Sequence, residues 1–122
     1  MTPRFTDARL EQFREQLRAE RESTVRLMAG LGEDIRRIVD ARQDSNVDDE
    51  HDPEGSTIAF ERSQSDALLR QSRDKLSQIT AALSRLDAGS FGVCESCGRD
   101  IPEARLVARP SASLCVDCAS RA

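Results

Sequence analysis

Apolar residues recur along the first third of the chain at the spacing of an α-helix. Phe13, Leu27 and Ile35 fall on one stripe, and no proline interrupts residues 6–42. A seven-residue repeat runs through the same stripe, which is typical of a coiled-coil seam. We therefore predict one helix over 6–42, with Thr6 as its N-cap. The residues that keep the strict seven-residue step are Leu10, Leu17, Thr24, Leu31 and Ile38.

A second helical pattern follows an acidic segment. Asp52-Pro53-Glu54 is a favourable helix start, because Asp suits the N-cap and Pro the first helical position. The pattern runs to about Ala88, and Gly89 is suited to the position just past the helix end. Its predicted inward stripe contains Leu69, Leu76, Ile79, Leu83 and Leu86, and continues towards the helix start through Ile58, Ser65 and Ser72.

Two helices joined by a short connection predict an all-α-dominated chain built on a long antiparallel hairpin. At 1.5 Å per residue each helix would be roughly 55 Å long. We expect residues 1–88 to form this hairpin, with a tip at about 43–55, and residues 89–122 to form a small C-terminal module. The seam becomes more polar towards the tip, at Ser65 and Ser72. The tip half is therefore predicted to be the less stable half.

The predicted tip is strongly acidic. Residues 40–54 hold seven acidic residues and one arginine, a net charge of −6, whereas the whole chain carries −4. Two interpretations stay open, a solvated loop that keeps the protein in solution and a tip that acts on a partner. The acidic residues that we single out as candidates are Asp48, Asp49, Glu50, Asp52 and Glu54.

Four cysteines in two Cys-x-x-Cys pairs carry the clearest chemical signal. Cys94 and Cys97 are separated by seventeen residues from Cys115 and Cys118, a spacing typical of four-cysteine zinc sites. Four thiolates can surround one Zn²⁺ tetrahedrally and leave no position for water, so the predicted site is structural. Two disulfides or a redox pair are the alternative, which an intracellular location disfavours.

Composition limits the function classes. The chain has 122 residues, of which 33% are charged and only 3% aromatic. Its negative net charge argues against a general coat for DNA or RNA. No apolar run approaches the roughly 20 residues of a membrane span, and the N-terminus lacks the apolar stretch of a signal peptide. We therefore expect a cytoplasmic protein.

The stretch Asp87–Cys118 resembles the DksA/TraR family of bacterial transcription regulators. The resemblance rests on F-G-V-C-E-S-C-G, R-L-V-A-R-P and L-C-V-D-C at the family's spacing. It implies a non-enzymatic protein that binds RNA polymerase directly and not DNA. The coiled coil would enter the secondary channel, the acidic tip would lie near the catalytic Mg²⁺, and promoter-complex lifetime would change.

The tip departs from the family pattern D-x-x-D-x-A. At this turn the chain reads Asp52-Pro53-Glu54-Gly55-Ser56-Thr57, so only the first aspartate is clearly matched. We expect polymerase binding to survive this change while the regulatory effect alters. The neighbouring acids Asp48, Asp49 and Glu50 are candidates to compensate.

The alarmone ppGpp binds some members of the family at their interface with the polymerase. Arg109 matches the arginine of the A-R-P element that takes part, but Ala119 and Gln78 stand where basic residues are expected. One arginine makes a weak phosphate site, so the sequence gives little support for ppGpp dependence. Arg105 and Arg109 could equally offset the negative charge of zinc held by four thiolates.

Two other functions stay open at this point, and two more are disfavoured. A zinc- or redox-responsive switch would use the cysteine pairs as sensors, and a zinc-stapled interaction module would bind partners without entering the polymerase. A zinc-ribbon nucleic-acid binder is disfavoured, since four arginines and four acids balance over residues 89–122. An enzyme is disfavoured because no nucleophile–base set or phosphate-binding glycine loop is present.

Overall fold

The computed structural model describes residues 4–44 and 53–121 of the chain. Its helices are α1 (Asp7–Asp44), α2 (Pro53–Ala88), α3 (Glu103–Ala108) and α4 (Val116–Arg121). Within the described residues the only β-pairing is an isolated antiparallel bridge between Val93 and Asp100. The predicted fold class is confirmed: a helical hairpin of α1 and α2 is followed by a small cysteine-containing module.

The ends of the long helices follow the predicted signals. The backbone N–H of Arg9 donates to Thr6 Oγ1 over 3.1 Å, so Thr6 caps α1. Helix α2 begins at Pro53 and ends at Ala88, and Gly89 takes a φ of 77°, which glycine adopts without strain. The N–H of Ser90 then donates to the Arg85 carbonyl over 2.9 Å. This bond satisfies a carbonyl that the end of a helix leaves free.

The chain divides into two compact units. The base unit comprises residues 1–23 and 76–122, and the tip unit comprises residues 24–75. The predicted boundary between residues 88 and 89 marks the end of α2, whereas packing groups the end of α2 with the C-terminal module. The reason is a shared core, because apolar residues of α1, α2 and the module are buried together in the base unit: Phe5, Phe13, Leu17, Ile79, Ala82, Leu86, Phe91, Cys94, Ile101 and Leu106.

Three aromatic rings lie at the centre of the base unit. The centroids of Phe13 and Phe91 are 5.0 Å apart, and those of Phe5 and Phe13 are 5.5 Å apart in an edge-on arrangement. Such pairs stabilise a core beyond the effect of area alone, by roughly 0.5–1.5 kcal/mol each. Because the rings come from the N-terminal segment, α1 and the cysteine module, they join all three.

The interior of the tip unit is more polar. Leu31 is the one large hydrophobic residue that is buried among the described side chains of this unit, and Thr24 and Ser72 are buried with it. Towards the helix connection, Ile38 of α1 and Ile58 of α2 line an open groove together. Early residues of α2 therefore face late residues of α1, as an antiparallel hairpin requires.

The prediction that Leu27 belongs to the inward stripe of α1 is wrong. Leu27 is 54% exposed, whereas the neighbouring Met28 is partly buried. A straight α-helix drifts by about 20° per heptad relative to an exact seven-residue repeat. The inward position after Thr24 therefore moves from the third residue to the fourth, and Leu27 rotates towards solvent.

Candidate metal centre

The structure brings the four predicted cysteines together. Their sulfur atoms all lie within 4.8 Å of one another, and Cys97 Sγ lies 3.7 Å from Cys115 Sγ. Tetrahedral Zn²⁺ with Zn–S bonds of about 2.3 Å places its sulfurs about 3.8 Å apart. A disulfide needs about 2.05 Å. All four cysteines are free, and their arrangement fits a metal ion.

Local backbone bonds shape the first cysteine pair. The N–H of Gly98 donates to the Cys94 carbonyl over 2.9 Å, and the N–H of Cys94 donates to the Arg99 carbonyl over 2.8 Å. Gly98 has a φ of 75°, a left-handed conformation that closes this turn. The turn holds Cys94 and Cys97 on one side of the cluster.

The second pair is positioned by a helix start. Cys115 immediately precedes α4, and the N–H of Ala119 donates to its carbonyl over 2.9 Å. Cys118 follows within the first turn of α4. The N–H of Glu95 donates to the Ser113 carbonyl over 2.9 Å, and this bond joins the two cysteine loops.

The electrostatics of the cluster favour a bound cation. Hydrogen bonds from the backbone of Cys115 and then Cys97 lower the pKa of Cys94 to about 6, although its side chain is only 2% exposed. The neighbouring Cys115 sulfur raises the pKa of Cys118 to about 12. Four crowded sulfurs cannot all ionise without compensation, and a divalent cation supplies it.

Arginine side chains tie the module to the helices inside the base unit. Arg4 donates to the carbonyls of Gly92 and Ile101, and Arg85 lies 3.3 Å from Glu95 while donating to the Ala112 carbonyl over 3.4 Å. These contacts were not predicted, because they join residues far apart in the chain that no local period relates.

Gly92 leaves the space in which Arg4 sits. A Cβ added at Gly92 would lie 3.0 Å from Arg4 Nη1 and 3.1 Å from a ring carbon of Phe5. The φ of Gly92 is 87°, so a side chain there would also strain the backbone. Both the close packing of Arg4 and Phe5 and the positive φ therefore require glycine at this position of the F-G-V-C sequence.

The two arginines singled out from the sequence differ in environment. Arg105 is partly buried, and its Nε donates to the Leu114 carbonyl over 2.9 Å. Arg109 is exposed on the surface of the module. Arg105 is thus engaged in holding the second cysteine loop, whereas the side chain of Arg109 projects into solvent.

The predicted acidic tip falls in the connection between α1 and α2. Asp48, Asp49, Glu50 and Asp52 lie outside the described residues. Glu54 belongs to the first turn of α2, and its backbone alone is described. Their role in a site therefore stays a prediction.

Across residues 4–44 and 53–121, no helix combines the length and apolar character that crossing a membrane requires. The long helices of the chain carry charges throughout, as α1 illustrates with its repeated arginines and acids.

Comparison with known proteins places the cysteine cluster in a known type of module. Residues 89–122 match the model of the prokaryotic DksA/TraR C4-type zinc finger. Together with the four clustered sulfurs, this match shows a structural site for one zinc ion. With four thiolate ligands such a site has no open position for substrate or water.

The likeness extends beyond this module. The RNA polymerase-binding transcription factor DksA of Escherichia coli strain K12 is 34% identical over 120 residues, which cover 93% of this chain and 71% of the relative. The Haemophilus influenzae protein of the same name is 48% identical over 46 residues, and that match spans 38% of this chain and 32% of the relative. The structure of transcription factor DksA2 from Pseudomonas aeruginosa aligns with a TM-score of 0.76 at 25% identity, covering 94% of this chain and 83% of that one.

Proposed function

The chain belongs to the DksA/TraR family, and from this premise we propose that it binds RNA polymerase and regulates transcription. The observation that carries the proposal is the similarity to Escherichia coli DksA over 93% of the chain, because it includes both long helices as well as the zinc finger. A match limited to residues 89–122 would have supported a zinc-binding module alone.

In this proposal the hairpin enters the secondary channel of the polymerase. A helical pair is narrow, and apart from the helix ends its backbone hydrogen bonds are made within each helix, so insertion exposes few unpaired backbone groups. The connection between α1 and α2 would then reach the active site. Residues 40–54, which comprise this connection and the adjoining helix ends, carry a net charge of −6 that would bias the catalytic Mg²⁺ region without a covalent step.

The zinc finger has a structural role in the proposed function. Cys94, Cys97, Cys115 and Cys118 would hold the ion, and Arg4 and Arg85 would keep the module against the ends of α1 and α2. The ion itself supplies a rigid tetrahedral crosslink. Because the module and the helices share one core, this crosslink also supports the start of the hairpin arm.

The same proposal limits partners and location. The protein would act by binding, without a catalytic step of its own, in the cytoplasm where its polymerase lies. A balanced charge over residues 89–122 gives no electrostatic basis for direct DNA binding. Arg109 is the arginine of the A-R-P element, but Ala119 and Gln78 stand where further basic residues are expected. Strong ppGpp dependence is therefore not expected.

A direct binding measurement tests the proposal. Zinc-loaded full-length protein should bind the host's RNA polymerase core enzyme in a competition assay, and should not bind duplex DNA at physiological salt. Protein with Cys118→Ser should bind more weakly, since the module loses a zinc ligand. A chain that binds zinc, has the expected helix content and shows no affinity for polymerase would overturn the proposal.

A charge-matched pair of variants separates the tip from the rest of the arm. The tip variant replaces Asp48, Asp49 and Glu50 by Asn, Asn and Gln, and should bind polymerase normally but change promoter-complex lifetime less than the unmodified protein does. The control replaces the exposed α1 residues Glu15, Glu22 and Glu33 by Gln, an equal loss of charge. Equal effects of both variants on transcription would exclude a specific role for the tip acids.

A further inference from the structure

Phe60 stands apart from the other phenylalanines of the chain. Three of the four pack against one another in the base unit, whereas Phe60 lies on α2 in the tip unit and is 68% exposed. A large aromatic side chain left in water is unfavourable, and aromatic residues are enriched in the cores of protein interfaces. The surroundings of Phe60 indicate which kind of partner it meets.

Phe60 lies on a face of α2 where the nearest residues are uncharged. Residues at helical spacings of three and four share one face of a helix, and all members of this face are exposed. Charged residues border this surface: Arg62 pairs with Asp66 at 3.8 Å on the flank, and the exposed Arg70 lies at its far end, three residues after Ala67. We call this surface the Phe60 face, and it consists of Ser56, Phe60, Ser63, Ala67 and Gln71.

The outward surface of α1 in the same unit mixes charged and apolar side chains. It presents Arg26, Glu33 and Arg36 to solvent, and Val25 and Leu27 are 49% and 54% exposed. In a chain with 33% charged residues, a row of five uncharged exposed positions centred on an aromatic ring is distinctive. Small side chains on both sides of Phe60 would let another surface approach the helix closely.

The groove beside Phe60 is mixed in character. It opens between α1 and α2, and its lining combines Ile38 and Ile58 with the charged residues Asp34, Arg37 and Glu61, while Gln64 borders it on the side of the Phe60 face. Ile38 and Ile58 are only partly buried. A surface that covered Phe60 could therefore also cover part of this groove.

The exposed area that Phe60 offers is much smaller than a stable protein interface. An exposed Phe side chain offers roughly 150–200 Å². A stable protein interface buries about 800 Å² on each partner. The face is too small to hold a second copy of this chain by itself, so Phe60 fits an anchor within a larger interface.

The position of Phe60 identifies that interface. It lies seven residues after the first residue of α2, Pro53, which is about 10 Å along the helix. If the connection between the helices reaches the polymerase active site, this part of α2 must be enclosed by the channel. We propose that Phe60 is an anchor residue that docks the tip unit against an uncharged wall of the RNA polymerase channel; this inference rests on the proposed function.

Competition binding with three variants of the full-length zinc-loaded protein tests the anchor. Phe60→Ala should weaken polymerase affinity by about tenfold, whereas Phe60→Leu, which keeps an apolar side chain, should stay within about threefold. The control is Val25→Ala, which removes a 49% exposed apolar side chain from α1 of the same unit and should leave affinity unchanged. Because the Phe60 face is uncharged, the loss in Phe60→Ala should be similar at low and high salt.

The outcomes separate the anchor from the proposed function. If the unmodified protein binds and Phe60→Ala binds equally well, the anchor is overturned and the proposed function stands. If the unmodified protein does not bind at all, both fall. A concentration-dependent dimer in sedimentation that Phe60→Ala abolishes would overturn the anchor too, by assigning the face to a second copy of the chain.

Discussion

The base unit and the tip unit differ in how their interiors are filled. The base unit buries three phenylalanines in mutual contact and several large aliphatic side chains, and it also holds hydrogen-bonded arginines and a zinc site. The tip unit buries Leu31 together with Thr24 and Ser72. Apolar burial is the main stabilising contribution to folding, so stability should be concentrated in the base.

This difference suits a protein that offers one end of a hairpin to a partner. A stable base can hold the helices in register, while a weakly packed arm can adjust to the surface that encloses it. An arm that must contact a partner also cannot bury all its apolar groups within the chain. The exposed Phe60 lies in the unit whose own core is poorest.

Zinc removal is the largest expected perturbation of the base unit. Structural zinc sites contribute about 10–16 kcal/mol of apparent binding free energy, which is lost when a chelator removes the ion. We expect the NMR amide signals of residues 89–121 to lose their dispersion, and those near Phe5 and Phe13 to shift with them. Added Zn²⁺ should restore the spectrum and added Mg²⁺ should not. Unchanged spectra after complete zinc removal would contradict the structural role of the site.

Truncation of a core residue should affect the two units unequally. Phe13→Ala should lower the free energy of unfolding by roughly 3–5 kcal/mol, because it removes the ring that contacts both Phe5 and Phe91. Leu31→Ala should have a smaller effect, near the lower end of the roughly 2–5 kcal/mol typical of such changes. Urea unfolding followed by circular dichroism gives both values, and a larger effect of Leu31→Ala would reverse the comparison.

Loss of the α1 cap should produce an intermediate effect confined to the base unit. Thr6→Ala removes the acceptor for the Arg9 N–H and should lower stability by about 1 kcal/mol. Thr80→Ala is the control, since Thr80 is exposed within α2 and its hydroxyl donates to the Leu76 carbonyl inside the helix. We expect that control to be neutral or slightly stabilising in the same urea experiment. Equal losses in the two variants would rule out a specific contribution from the cap.

The smallest predicted change strengthens the tip unit. Ser72→Ala replaces a buried hydroxyl in the seam and should raise the protection of tip-unit amides against hydrogen exchange, by about 0.5–1 kcal/mol. Ser77→Ala makes the same substitution at an exposed position of α2 and reports helix propensity alone. Protection that rises no more in Ser72→Ala than in this control would show that the buried hydroxyl does not weaken the seam.

Local signals in the sequence predicted most of the secondary structure. The Thr6 cap, the helix start at Pro53 and the helix end before Gly89 were all predicted, because each depends on a residue's own backbone or on neighbours within four positions. The cysteine spacing likewise indicated a cluster, which the structure forms. The exposed Leu27 was missed because a strict seven-residue repeat ignores the gradual rotation of a straight helix.

Long-range contacts were beyond sequence reasoning. The guanidinium of Arg4 donates to Gly92 and Ile101, which lie 88 and 97 positions later in the chain. Nothing in the periodicity of either segment relates them. The burial of Phe5 and Phe91 in one cluster has the same origin, since it depends on which ends the antiparallel hairpin brings together.

Hydroxyl-radical mapping tests most directly whether the hairpin lies in the polymerase channel. Fe²⁺ replaces Mg²⁺ in the active site of the host's RNA polymerase and cleaves polypeptide backbone close to it. We expect cleavage of this protein confined to about residues 48–57. Cleavage within residues 89–121, or none from a polymerase-bound protein with its zinc in place, would contradict insertion of the hairpin into the channel.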